Sequence, residues 1–230
     1  MDFTRFTHLS FDCYGTLIDW ESGILAALRA AIPDHAIPVD DDRLLELYAK
    51  HEAAEEAGPF RSYREILRGV MDGIASEMGF TPSAPGRDAI AASVGRWEPF
   101  PDTVAALTRL KTRFQLVILS NVDRDMFTET ARRLEVPFDA VFVAEEIGSY
   151  KPSRENFRYL LDHLGVPREQ VLHVAQSVYH DHVPAKELGF STVWVNRPSR
   201  RSGTGAAPLA RAKPDLELPS LAAVANTAGV

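Results

Sequence analysis

Asp12 closes an apolar run in LSFDCYGTLIDW and is followed by a Tyr–Gly–Thr turn. Three later stretches carry further groups able to do chemistry: Ser120 and Asn121 in VILSN, Lys151 in SYKP, and Asp181 in HVAQSVYHD. A carboxylate, a lysine, and hydroxyl and amide groups make a coherent set if the chain brings them together. Asp12 can attack an electrophilic centre and form a covalent ester or acyl phosphate. Lys151 can keep that carboxylate ionised, because a neighbouring positive charge lowers an acid's pKa. Thr16, Ser120 and Asn121 can hydrogen-bond its oxygens or the substrate. Taken singly, Asp12 is as well suited to capping a turn, and Lys151 to the surface before Pro152. Their joint placement, one after each successive strand-like run, favours a site.

The runs that must deliver them are short, apolar and β-rich: residues 7–12, 115–121, 140–144, 171–175 and 191–196 read as buried strands. Helical patterns lie between, at residues 102–113, 124–135, 153–165 and 181–190. The third of these places Phe157, Leu160, Leu161 and Leu164 on one face and ends at Gly165. Strands alternating with helices imply parallel crossover units, hence a doubly wound α/β sheet. From Asp19 to Arg96 that rhythm breaks into four helical stretches with no convincing strand. An insert there sits above the carboxyl end of the first strand, where open α/β sheets bind ligands. The expected organisation is a core of residues 1–18 and 97–230 with a helical cap of residues 19–96 acting as a lid.

FDCYGTL, VILSN, SYKP and HVAQSVYHD resemble, in order, the four motifs of the haloacid dehalogenase superfamily. The resemblance spans the whole chain, cap included. It implies a Rossmann-like core and an aspartate nucleophile, which falls on Asp12. Most members are magnesium phosphatases with Asp-x-Asp in the first motif, the second Asp being the general acid. Here that position is Tyr14, and Gln176 stands where the fourth motif would begin with Asp. Magnesium prefers oxygen ligands in octahedral geometry, and a transferred phosphoryl group needs its charge neutralised. Loss of one carboxylate and the acid disfavours that chemistry. The first motif with tyrosine resembles the type II 2-haloacid dehalogenases, whose reaction needs neither a metal nor a general acid. That resemblance implies Asp12 as nucleophile, Lys151 as its ion partner, and Thr16 and Ser120 as its supports. It implies Asn121 as a substrate or halide contact, Asp181 as the holder of Lys151 and the hydrolytic water, and Tyr14, Gln176, Ser177 and Tyr179 around the substrate.

The sequence also departs from that family. Its cap carries an arginine directly after an aromatic, whereas here Ala49 follows Tyr48; Lys50, Arg61 and Arg64 are the nearby candidates. Phe157 stands where a tyrosine is the family's rule, and AQSVYHD is one residue longer than its counterpart. Cys13, adjacent to Asp12 on a strand, is expected to point to the opposite face as a buried thiol. His180 and His182 flank Asp181, but near neighbours on a helix do not converge on one ligand; His180 can still line the site. The three tryptophans are expected in the core or the cap–core seam, with Trp20 also a candidate for the pocket wall. Residues 197–214, rich in Gly, Pro, Ser and Arg, read as a solvated loop, with anion binding a second reading.

A net charge of −7 argues against a nucleic-acid partner, and the single cysteine excludes an intrachain disulfide and a cysteine-based zinc site. No apolar run reaches the roughly 20 residues a bilayer demands, and no basic region leads into a long apolar stretch at the N-terminus. The expectation is therefore a cytoplasmic hydrolase of a small organic acid, without cofactor or metal, with a homodimer left open. The competing readings are a magnesium phosphatase using Asp12, Asp181 and backbone oxygens, and a non-catalytic anion binder.

Overall fold

A computed structural model describes residues 1–197 and 205–230. The first strand, β1 (His8–Phe11), lies in the middle of a six-stranded sheet of order β3-β2-β1-β4-β5-β6. After it come the helices α1 (Trp20–Ala31), α2 (Asp41–Glu56), α3 (Tyr63–Met78), α4 (Ala84–Arg87) and α5 (Ala89–Ser93). The chain then returns through α6 (Thr103–Lys111) to β2 (Gln115–Ser120). Next are α7 (Arg124–Leu134), β3 (Ala140–Val143), α8 (Ala144–Ile147) and α9 (Arg154–Leu164). Finally come β4 (Val171–Ala175), α10 (Val183–Glu187), β5 (Ser191–Val195), β6 (Leu216–Leu218) and α11 (Leu221–Ala228). Every strand pairing is parallel.

The strands are apolar on both faces because helices cover both. Leu9, Phe11, Leu116, Ile118, Leu172 and Val174 share one core with the N-terminal and cap helices. Val117, Leu119 and Val171 point the other way and pack on Phe157, Leu160 and Ala185 of α9 and α10. From β1 the chain winds outward to β2 and β3, then back past β1 to β4, β5 and β6. The order reverses at β1, and the carboxyl ends of β1, β2 and β4 open a crevice there.

The five strands read from sequence form within a residue or two of their expected ends. The last of the four helical stretches expected in the cap breaks at Asp88 into α4, α5 and a short 3-10 turn, Val94–Arg96. The loop expected at 197–214 needs correcting at its start. Arg197 is mostly buried: its guanidinium lies 3.8 Å over the Phe100 ring, donates twice to the Thr16 carbonyl and pairs with Asp102. Ala206 is likewise buried. Residues 198–204 of that loop lie outside the described residues. No helix among the described residues is long and apolar enough to cross a membrane.

Candidate active site

Asp12 follows β1 directly, and the turn beyond it is set by Gly15, whose φ of +88° suits glycine. A Cβ there would also meet the Trp20 indole nitrogen at 2.9 Å. The turn carries Thr16 back under Asp12, and its hydroxyl donates to Asp12 Oδ2 at 2.8 Å. The Gln176 backbone N–H donates to that hydroxyl at 2.9 Å, which commits the Thr16 proton to Asp12. Lys151 Nζ donates to Asp12 Oδ1 at 2.9 Å, Asp181 Oδ1 at 2.7 Å and the Leu119 carbonyl at 2.9 Å. Those bonds use all three ammonium protons. Lys151 is held from behind by Asn121, whose Oδ1 accepts from the Lys151 N–H and whose Nδ2 donates to the Lys151 carbonyl.

Asp181 comes from a five-residue π turn, Val178–His182, capped by Ser177. The π turn absorbs the extra residue of this motif. It directs both His180 and Asp181 into the same cavity, which α-helical spacing would not allow. Asp181 Oδ1 also meets His173 Nε2 at 3.0 Å, and His173 Nδ1 meets Ser10 Oγ at 2.8 Å. Asp181 Oδ2, Ser120 Oγ and His180 Nε2 are buried without a hydrogen-bond partner among the described residues. Cys13 is fully buried, and burial pushes its thiol well above the usual range.

The cavity holds about 30 Å³ of solvent-accessible space, room for a water or two. Its walls include Asp12, Tyr14, Trp20, Ser120, Lys151 and Asp181, with Glu52 and Glu56 from α2 and Tyr63 from α3. Burial pushes the Asp12 carboxyl up against the pull of Lys151, and the like charge of Asp181 reinforces that rise. Asp181 is held below the usual carboxylate range: its burial is outweighed by Lys151 and His173. Burial disfavours the Lys151 cation, but Asp12 and Asp181 more than restore it. Tyr14 OH lies 2.9 Å from Thr130 Oγ1, and Thr130 spends its own proton on the Met126 carbonyl. The Tyr14 proton is therefore committed to Thr130, and the ring alone faces the site.

Not every residue expected at the site arrives there. Arg61 pairs with Glu55 and Arg64 with Asp125, both partly exposed and outside the cavity walls. Lys50 pairs with Glu77. Gln176 turns its amide oxygen toward Gly15 rather than into the cavity. Tyr179 stacks edge-on against His180, outside the lining. Asn121, expected to touch the substrate, does line the cavity, but gives its remaining amide proton to Glu56 Oε1 at 3.2 Å. Glu52, Glu56, Tyr63 and His173 were not anticipated, although Glu52 and Glu56 stand four apart in HEAAEEAG, on one face of a helix.

A model of the haloacid dehalogenase-like hydrolase family matches residues 6–188. The chain belongs to the haloacid dehalogenase-like hydrolases. The (S)-2-haloacid dehalogenase of Xanthobacter autotrophicus is 28% identical over 197 residues, covering 84% of this chain and 76% of that one. The glyceraldehyde 3-phosphate phosphatase of Methanocaldococcus jannaschii is 36% identical over 100 residues, covering 42% of this chain and 44% of its own. A crystal structure of the X. autotrophicus L-2-haloacid dehalogenase with chloropropionic acid covalently bound superposes with a TM-score of 0.80. It is 23% identical and covers 96% of this chain and 97% of that one, so it shares the fold. Haloacid dehalogenase-like hydrolases thus include phosphate-ester and carbon–halogen hydrolases, and the donors present bear on the choice. Magnesium requires a shell of oxygen ligands. Here Asp12 Oδ1 and Asp181 Oδ1 both converge on an ammonium group, and Gln176 faces away. Among the described residues no three His, Cys, Asp or Glu are grouped to hold a metal ion. These residues do not fit a magnesium ion.

Proposed function

We propose that this chain is a hydrolase of the 2-haloacid dehalogenase type, in which Asp12 displaces halide from the α carbon of a small 2-haloacid without a metal. The observation that carries this reading is the Lys151 ammonium group bridging Asp12 and Asp181 beside the Tyr14 ring. Asp12 supplies the electron pair, the carbon–halogen bond breaks, and an ester links Asp12 to the substrate. Halide leaves without a proton, so no general acid is required, which agrees with a Tyr14 hydroxyl committed to Thr130. Ser120 Oγ, buried and free, is the donor for the substrate carboxylate. Water then attacks the Asp12 carbonyl carbon, the ester bond between that carbon and the substrate oxygen breaks, and a proton from the water passes to the leaving oxygen, which frees the 2-hydroxy acid and restores the Asp12 carboxylate. Asp181 Oδ2, also free, orients that water, and Lys151 or Thr16 hydrogen-bonds the oxygen on which charge develops. The cavity is small, so the substrate is small, and the cap of residues 19–96 supplies part of its wall. A cytoplasmic location suits such a reaction.

The test is halide release from 2-chloropropionate in the presence of EDTA, for the wild type and Asp12→Asn. Release is expected in the wild type and a loss of at least a thousandfold, on the order of an ablated nucleophile, in the variant. A rate indifferent to Asp12→Asn, or magnesium-stimulated hydrolysis of a phosphate ester in place of halide release, sinks the reading.

A further inference from the structure

His173 is the polar residue in the otherwise apolar strand β4, VLHVA, and it is fully buried. Its register partner on β1 is Ser10, also fully buried, so the two side chains stand on one face of the sheet. Ser10 Oγ meets His173 Nδ1 at 2.8 Å, and His173 Nε2 meets Asp181 Oδ1 at 3.0 Å. The Phe157 ring of α9 packs edge-on against the imidazole, with 5.0 Å between ring centroids. A polar side chain inside an apolar strand costs stability unless its hydrogen bonds are made. Here both ring nitrogens make one, and one of the two partners is a residue of the active site.

The effect of that second bond is geometric. An ionised carboxylate only accepts, so His173 Nε2 carries the proton, and Nδ1 of the neutral ring accepts from Ser10. Lys151 Nζ donates to the same carboxylate oxygen, Asp181 Oδ1, at 2.7 Å. Two donors therefore share Oδ1, while Oδ2 has no partner among the described residues and belongs to a side chain that lines the cavity. With Lys151 alone, either oxygen can take the ammonium proton, and rotation about the Cβ–Cγ bond exchanges them. With His173 in place that rotation strands a buried N–H, which is costly.

We propose that His173 is a positioning residue for the second half of the reaction: it locks the Asp181 carboxylate so that Oδ2 faces the water that hydrolyses the Asp12 ester. The inference rests on the dehalogenase reading. In that step the water oxygen bonds to the Asp12 carbonyl carbon and the bond from that carbon to the substrate oxygen breaks. One water proton passes to the departing oxygen, and the other is released as Asp12 regains its charge. His173 exchanges no proton in this step. The first half, attack of Asp12 on the α carbon, uses a carboxylate held by Lys151 and Thr16, neither of which hydrogen-bonds to His173.

The experiment is rapid-quench halide release from 2-chloropropionate with EDTA, together with the mass of the quenched protein, for wild type, His173→Phe and His173→Gln. His173→Phe keeps a ring against Phe157 and removes both hydrogen bonds. It is expected to release about one halide per site in a burst at the wild-type rate, the mark of a covalent intermediate that accumulates. Steady turnover is then expected to be about tenfold to a hundredfold slower than in wild type, the usual effect of losing a partner that orients a reacting group. The ester appears as added mass on the peptide that contains Asp12. His173→Gln, whose amide still donates to Asp181, is expected to recover most of the lost turnover. A histidine that merely filled the core would affect both halves alike. Burst and turnover slowed by the same factor, or no accumulated ester, therefore overturns the proposal, and so does a His173→Gln no faster than His173→Phe. Should His173→Phe not fold, Ser10→Ala takes its place: it frees the ring that Ser10 anchors, and turnover is expected to slow severalfold with the burst unchanged. A Ser10→Ala indistinguishable from wild type then overturns the proposal. A wild type that releases no halide overturns the dehalogenase reading itself, and this inference with it.

Discussion

Asp12 and Asp181 share one lysine, and the sharing is unequal. Asp181 is fully buried and takes bonds from Lys151 and His173, so it keeps its charge; Asp12 faces the cavity and bears the like charge of Asp181. A protonated Asp12 is not a nucleophile, so the rate falls as pH drops through its raised pKa. Asp181→Asn removes the like charge, which lowers the Asp12 pKa. The variant is expected to be slower, having lost its water-orienting carboxylate, yet to have its acid limb moved to lower pH. Profiles of kcat/KM for both proteins check this; an acid limb that stays in place or moves upward contradicts the sharing argument. The residues of this ion network were legible in the sequence because each lies on the segment that follows the carboxyl end of a parallel strand, and those ends of one sheet converge. His173 was hidden because it lies within a strand, where its sequence context is that of core. Glu52 and Glu56 were hidden for another reason: which face of α2 looks at the core depends on how that helix rolls, and its weak apolar stripe does not fix that. The same gap leaves Arg61 and Arg64 as the candidate cap cations in the sequence, whereas in the fold they find their own carboxylates on the outside.

At the scale of elements, α3 is the hinge of the arrangement, because it is capped from two sides. Ser62 and Glu65 close a capping box at its start. Asp123, just beyond β2, reaches across and accepts from the Tyr63 N–H at 2.7 Å and the Arg64 N–H at 3.0 Å. It thereby satisfies two first-turn amides and sets a negative charge at the positive end of the helix. Tyr150, next to Lys151, donates its hydroxyl to the Arg61 carbonyl and stacks on Phe60. The first turn of α3 is thus tied to the same loops that hold the reactive groups, and Tyr63 reaches from it to Glu52. Asp123→Ala is expected to cost about 1–3 kcal/mol of stability, the range for a charge-assisted cap. Asp123→Asn should cost less, since its one carbonyl oxygen can still accept. Urea unfolding measures both; equal stability of Asp123→Ala and wild type removes the tie. α3 falls in one of the four helical stretches expected in the cap, and Ser62, Glu65 and Gly79 are local marks of its ends. Asp123 was not, because a helix cap supplied from 60 residues away leaves no local pattern. β6 escaped notice too: its three residues, of alternating exposure at the sheet edge, are too short to show a period.

For the whole molecule, the buried acids of α2 set an unusual direction for stability against pH. Glu52 is almost fully buried, with Tyr48 OH at 2.7 Å and Tyr63 OH at 2.6 Å from its Oε1, and no cation among the described residues pairs with it. Burial raises its pKa from 4.5 to about 7, the two tyrosine hydrogen bonds only partly opposing that. Between those values the folded chain holds a proton that the unfolded chain has released. Stability therefore falls as pH rises through that window, and the cost levels off above about 7 at roughly 3 kcal/mol. Glu56, raised in the same direction, adds to it. The net charge of −7 also opposes the compact state at alkaline pH, but that self-repulsion is nearly common to wild type and a single neutralising variant. The difference between Glu52→Gln and wild type consequently isolates the buried carboxyl. Below pH about 4.5 both proteins carry a neutral group at position 52, and the variant should be no more stable. Around pH 8 wild-type Glu52 is ionised and the variant is not, so Glu52→Gln should gain about 1–3 kcal/mol, less than the full cost because the buried amide N–H₂ must find hydrogen-bond acceptors of its own. Denaturant unfolding of both proteins across that range measures the gain. A difference that does not change with pH would mean that Glu52 is never forced to charge in the folded chain, and that the cap holds a stably ionised carboxylate over the cavity.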